Sequence, residues 1–193
     1  MYVNCVSEDA VNRQHRIEDC LLDMMLETPY KQISVSNLCQ AAKCSRKAFY
    51  RYFTNKDGCL AALLDRVFLD FAHFETNVEC TNPDTPNELL MWLAYWTGQK
   101  GLLDALTRNN LGAQLVERGI YYGAKVDSGA PVGLGMAASE LDEDVLHFLN
   151  SGLISLILRW HSSGYPKTFE QMVDTATRLL MSPLVVQKPE CHQ

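Results

Sequence analysis

The segment Ser45–Phe53, SRKAFYRYF, crowds three cations (Arg46, Lys47, Arg51) and two tyrosines (Tyr50, Tyr52) into little more than two helical turns. Phe49 and Phe53 stand four residues apart, so both fall on one side of a helix. Burying that side leaves the cations and Tyr50 projecting from the rest of the surface. A short helix with an apolar back and a cationic, hydroxyl-bearing front is what a DNA major groove accepts.

Charge is distributed to match. The 193-residue chain has 17 basic and 23 acidic residues, net −6. Six of the cations (Lys31, Lys43, Arg46, Lys47, Arg51, Lys56) lie between Thr28 and Lys56, a stretch with no acid. Phosphate contacts dominate DNA affinity, so a local positive patch counts for more than the overall pI. The acidic remainder repels DNA and confines contact to one end.

The elements that must position this segment are readable on either side. Ser34 to Ala42 reads as a short helix capped by Ser34, with Val35, Leu38, Ala41 and Ala42 as its buried side. Lys43 and Cys44 make a turn, and Ser45 caps the cationic helix. Two short helices joined by a tight turn, the second one cationic, form a helix-turn-helix.

In this stretch the chain resembles the DNA-binding domain of TetR/AcrR-family transcriptional regulators. That family's pattern runs Ile-Thr-Val, a short helix ending in Ala, Gly-Val-Ser, a variable pair, Tyr-x-x-Phe, and a Lys shortly after. This chain gives Ile33-Ser34-Val35, Ala42, Lys43-Cys44-Ser45, Phe49-Tyr50-Arg51-Tyr52-Phe53 and Lys56. The resemblance covers roughly Arg16 to Leu64, about a quarter of the chain. It departs at Lys43, where the family often has Gly. A non-Gly residue at positive φ costs about 1 kcal/mol, so a strained or differently shaped turn is expected.

The length suits one DNA-binding module plus a larger helical body. There is no cationic-then-apolar leader and no apolar run long enough to span a bilayer, so a soluble, cytoplasmic protein is expected with no membrane partner. The seven cysteines are odd in number and form no CxxC pair. They are expected to be reduced and mostly buried, with a redox sensor built on Cys39, Cys44 or Cys59 as the alternative. His73, His147 and His161 lack ligand spacing, so neither a metal site nor a cofactor is expected. No nucleophile elbow, HExxH or phosphate-cradling loop occurs, which argues against an enzyme.

The rest reads as an all-α chain. A first helix carries Ile17, Leu21, Leu22 and Met25 and ends before Thr28-Pro29. A long fourth helix, capped by Thr54 with Asp57 as reciprocal partner, carries an apolar stripe from Leu60 to Val78. Asn82–Thr85 breaks it. A fifth helix starts at Thr85-Pro86-Asn87-Glu88 and holds Leu89, Trp92, Leu93, Tyr95 and Trp96. Gly98 to Gly101 interrupts, and helical pieces follow at 102–108 and 110–125. Asp127 to Ala138 is a Gly-rich loop. Ser139 with Asp142 caps an eighth helix, and Thr168 with Gln171 caps the last, which Pro183 ends. The implied division is a helix-turn-helix domain at 8–54, a helical regulatory and dimerisation domain at 55–182, and a disordered tail at 183–193.

Phe148 to Trp160 is apolar almost all round and must be covered on every side. With the last helix it supplies surplus apolar surface, which predicts a homodimer on a near-palindromic operator. The resemblance implies the same arrangement, with the last two long helices of each subunit forming a four-helix bundle. It also implies an inducer pocket among helices four to seven, where Phe71, Trp92, Tyr95, Trp96, Tyr121 and Tyr122 are candidate lining for an unknown small-molecule effector. Candidate DNA contacts are Arg46 and Lys47 to base edges or phosphate, Tyr50 and Lys56 to phosphate, and Ser34, Ser36 and Ser45 as donors at helix N-termini. The expected function is a ligand-responsive transcriptional regulator, a repressor released by its effector. The alternative is a co-activator or interaction protein of the same fold that works through a protein partner.

Overall fold

A computed structural model describes residues 2, 3, 7–76, 87–123 and 142–180. Among them every regular element is a helix, apart from an isolated antiparallel bridge between Tyr2 and Phe53. The helices are α1 (Glu8–Glu27), α2 (Val35–Ala41), α3 (Arg46–Tyr52), α4 (Lys56–Thr76), α5 (Asn87–Gly98), α6 (Lys100–Arg108), α7 (Gly112–Gly123), α8 (Glu143–Ser162) and α9 (Phe169–Leu180), with a single 3-10 turn at Tyr30–Gln32. Two compact units are present. One comprises Met1–Asp70 with Gln99–Arg118, and the other Phe71–Gly98 with Gly119–Gln193.

The first unit is built on α1. Its Ile17, Leu21 and Met25 are buried at helical spacing, and α1 packs on both α2 and α6. Its polar heart is Glu18, fully buried and bonded by Gln14 Nε2 at 2.9 Å. Arg66 of α4 places Nε 3.0 Å from Glu18 Oε2 and also pairs with Asp19. Burial raises the Glu18 carboxyl above its ordinary range, against the pull of Gln14 and Arg66. The end of α6 is fastened to the end of α1. Asn109 donates to Met25 O at 3.0 Å and accepts from Tyr30 N at 2.5 Å, and Arg108 donates to Leu26 O at 3.2 Å.

Several caps fall as the sequence predicts. Ser34 Oγ accepts from Asn37 N and Ser45 Oγ from Ala48 N, each at 3.1 Å. Thr168 and Gln171 form a reciprocal box at the start of α9. Others differ. The cap of α4 is Asn55, whose Oδ1 accepts from Gly58 N at 2.8 Å, rather than Thr54 one residue earlier. Asp57, expected as the reciprocal partner, instead accepts from Tyr30 Oη at 2.7 Å. Asp142 itself caps α8, its carboxylate accepting from Asp144 N at 2.9 Å, and Ser139 lies outside the described residues. Only Gln99 separates α5 from α6, and Gly101 is helical, so the expected break at Gly98–Gly101 is a single residue. The breaker at 82–85, the start signal at Thr85-Pro86, Val78, the loop at 127–138, Pro183 and the tail fall outside the described residues.

In the second unit α5 packs against α9, burying Leu89, Trp92, Leu93 and Trp96 together with Met172, Ala176 and Leu180. α8 buries Leu149, Leu153, Ile154, Ile157 and Trp160. Its opposite face is open: Phe148 is 65% exposed, and on α9 Leu179 is 57% exposed. Among the described residues of these two helices, Phe148 and Leu179 are the large apolar side chains left exposed.

Candidate nucleic-acid interface

The recognition helix, α3, is anchored by its aromatic back. Phe49 and Phe53 are fully buried with ring centroids 5.2 Å apart, and Tyr52 is buried beside them. Arg46, Lys47, Tyr50 and Arg51 are exposed on the remaining surface. The Tyr50 hydroxyl, one turn along, hydrogen-bonds the Arg46 guanidinium and raises its pKa. The front thus carries cations and a phenol on a helix whose other side is buried.

The turn before α3 explains how Lys43 replaces glycine. Lys43 sits at φ 51, in the left-handed region. Cys44 N donates to Cys39 O at 2.9 Å and Lys43 N to Gln40 O at 3.2 Å. That pair is the Schellman arrangement, which satisfies the orphan carbonyls at the end of α2. The Cys39 and Cys44 side chains hydrogen-bond across it, supplying the usual contact beneath the turn. The turn keeps its helix-ending shape, and the cost of a side chain at positive φ is about 1 kcal/mol. Burial pushes the Cys44 thiol up to about 11, and Cys20, Cys39, Cys44 and Cys59 are free thiols. Among the described residues no group of three or more His, Cys, Asp or Glu is arranged to hold a metal ion.

Of the other expected contacts, Ser34 and Ser45 are exposed and already serve as caps, and Ser36 is exposed in the first turn of α2. Lys56 has a role that sequence reading missed. Its Nζ donates to Tyr30 O at 2.5 Å and Ile33 O at 2.8 Å and lies 4.0 Å from the Tyr30 ring centroid. It ties the start of α4 to the turn that leads into α2, so it positions the interface from behind. Burial lowers its pKa. Within the buried side of α2, Leu38, Cys39 and Ala42 are covered, whereas Ala41 is exposed. The expected burial of Ala41 fails because the buried face runs through Leu38, Cys39 and Ala42, and Ala41 lies on the side opposite Cys39. Arg51 belongs to the exposed front, as its spacing of four from Lys47 signals. A further support has no local signature: Tyr2 Oη donates to Asp65 Oδ2 at 2.5 Å and Val3 N to Tyr52 O at 2.9 Å, pinning chain from the N-terminus against the end of α3.

The candidate effector residues are partly gathered. Phe71, Tyr95, Trp96 and Trp92 form a chain of ring contacts with centroids 5.1–6.0 Å apart. Trp96 is fully buried and Trp92 nearly so. Tyr121 and Tyr122 contact each other at 5.2 Å, and Tyr121 is 45% exposed.

A cationic helix with a buried aromatic back, presented by a Schellman turn from a capped helix of the same length, defines a helix-turn-helix protein. Residues 22–63 match the family described as bacterial regulatory proteins, tetR family. A curated relative, the HTH-type dhaKLM operon transcriptional activator DhaS of Lactococcus lactis subsp. lactis (strain IL1403), is 33% identical over 82 residues. The match spans 42% of this chain and 42% of that relative, less than half of its length. Among solved structures, a TetR-family regulator from Syntrophomonas wolfei str. Goettingen covers 92% of this chain and 99% of its own, with TM-score 0.63 and 14% identity. The fatty acid degradation regulator FadR from Bacillus halodurans covers 94% and 98%, with TM-score 0.57 and 18% identity. The dihydroxyacetone kinase operon activator DhaS covers 88% and 94%, with TM-score 0.52 and 20% identity. At these identities the likeness is one of fold: an N-terminal helix-turn-helix followed by a helical C-terminal domain. Among the described residues no helix is long and apolar enough to cross a membrane.

Proposed function

We propose that the chain is a cytoplasmic, homodimeric, non-enzymatic transcriptional regulator. It binds a near-palindromic operator through α3 and responds to a small-molecule effector. The observation that carries this reading is the exposed row of Arg46, Lys47, Tyr50 and Arg51 on a helix whose other side is locked into the core. Arg46 and Lys47, at the N-terminal end of α3, are assigned to base edges; Tyr50 and Arg51 are assigned to phosphates. Ser34, Ser36 and Ser45 contribute hydroxyl donors at the two helix starts, and Lys56 acts from behind, holding Tyr30 and Ile33 in place.

The test starts from random duplex DNA, selecting sites that the protein retains. The selected site should be near-palindromic. Arg46→Ala and Lys47→Ala should each weaken binding to it by roughly tenfold to a hundredfold while relaxing preference at one base position. Loss of affinity without any change of preference assigns the residue to phosphate instead.

Regulation as a repressor released by effector is the family-based reading of the sign. A specific observation favours a second reading: the curated relative is named a transcriptional activator. An activator with this intact cationic helix still binds DNA itself, so both readings share the interface. For the effector, the proposed lining is Phe71, Trp92, Tyr95 and Trp96, with Tyr121 and Tyr122. Trp96 is too deeply buried for clean truncation, so Tyr95→Phe is the better probe. It removes one hydroxyl and keeps the ring. An effector that shifts tryptophan emission and changes DNA occupancy should bind this variant roughly five- to tenfold more weakly if the hydroxyl orients it. Unchanged affinity assigns these aromatics to the core.

A further inference from the structure

We infer that the open face of α8 is one half of a self-complementary two-fold joint, in which each protomer's Asp144 pairs with Arg159 of the partner subunit and its Phe148 seats against the partner's Ser155. The inference rests on the dimer reading above and adds its register and the charges that select the partner.

Five exposed residues of α8, Asp144, Phe148, Gly152, Ser155 and Arg159, form a stripe that recurs at intervals of three or four residues. With Leu179 of α9 they line a groove of about 660 Å³. Asp144 and Arg159 are the charged residues of that lining and stand near its two ends. Among the described residues neither side chain makes an ion pair. A groove that is apolar along its length and oppositely charged at its ends fits a partner with the same properties running in the opposite direction.

A two-fold axis that crosses α8 at right angles sets its two copies antiparallel, and residues equidistant from the axis then face each other. Asp144 and Arg159 are symmetric about the point between Ser151 and Gly152. Phe148 and Ser155 are symmetric about the same point. One register therefore joins acid to base and large to small at once. Sliding by one helical turn in one direction sets Asp144 against Ser155, and in the other sets Phe148 against Arg159. Both alternatives leave a charge unpaired. The centre of the register falls where the side chains are smallest. A Cβ built on Gly152 meets nothing within 4 Å in its own protomer, so the space there is open to the partner's backbone. Exposed ion pairs add little affinity, but like charges brought together oppose association, so these two residues set register and partner choice.

The experiment compares dimer dissociation constants at low salt, by sedimentation, for the full chain and four preparations: Asp144→Arg, Arg159→Asp, the double variant, and an equimolar mixture of the two single variants. Each single variant turns two attractive contacts into two repulsive ones, and its homodimer should weaken by roughly ten- to thirtyfold. The double variant should return close to the unmodified protein. The mixture should form heterodimer in preference to either homodimer. Single variants that self-associate like the parent, or a mixture at statistical proportions, overturn the register while the dimer stands. A monomeric parent at micromolar concentration overturns the dimer reading, and this inference with it.

Discussion

Gly152→Arg is expected to give a folded monomer that no longer binds its operator. Position 152 lies at the centre of the exposed α8 stripe, and a side chain there meets nothing within 4 Å in its own protomer. The fold therefore tolerates the change. In the dimer each arginine arrives at the axis opposite its own copy. It brings excess volume into a closely packed seam and an unpaired charge into an apolar one. Together these oppose association by about 5 kcal/mol or more. Helicity measured by circular dichroism should match the parent, sedimentation should report a monomer, and affinity for a two-half-site operator should collapse with α3 intact. A variant that still dimerises with the parent's dissociation constant would remove α8 from the interface.

Arg66→Ala is expected to destabilise the helix-turn-helix unit by about 3–5 kcal/mol, because it strands a fully buried carboxylate. Glu18 then keeps only the amide of Gln14. The loss should depend on pH in a definite direction. The folded-state pKa of Glu18 is raised above 4.5, so the folded form takes up a proton more readily than the unfolded chain. Stability tied to this group therefore increases as pH falls from neutrality through the raised pKa towards 4.5. Without Arg66 that pKa rises further, so the gap between variant and parent should narrow on acidification. Denaturant unfolding of both proteins at pH 7 and pH 5 measures it. A gap that is small, or the same at both pH values, would mean that Glu18 is not held as a charged group.

The interface was legible because its determinants are local. Ser34 and Ser45 cap three residues ahead of the amides that they bind, and Phe49 and Phe53 are buried at the spacing that predicts it. The same logic failed where two cap-forming residues are adjacent. Thr54 and Asn55 are equally good candidates on sequence, and Asn55 wins because the first turn of α4 begins one residue later than expected. Lys43 was recognised as the anomaly of the turn, but that it closes a Schellman motif depends on two backbone bonds that no residue type announces. The supports behind the interface were not legible at all. Asn109 reaches Met25 and Tyr30 across most of the first unit, Lys56 reaches back to Tyr30 and Ile33, and Arg66 reaches Glu18. Such contacts join residues far apart in sequence, and an asparagine, a lysine or an arginine reads the same whether it faces solvent or another helix.

The central claim is that α3 meets DNA through its exposed cations. The most direct test measures affinity for a selected operator as a function of salt, for the parent and for the triple variant Arg46→Ala, Lys47→Ala, Arg51→Ala. None of the three side chains is buried, so the variant should unfold at the same denaturant concentration as the parent. Each phosphate contact contributes a slope of roughly −0.9 to log K against log salt, and base contacts add specificity on top. The account predicts that the triple variant loses at least roughly a hundredfold in affinity at fixed salt and shows a shallower salt slope. A folded variant with the parent's affinity and the parent's slope would contradict it.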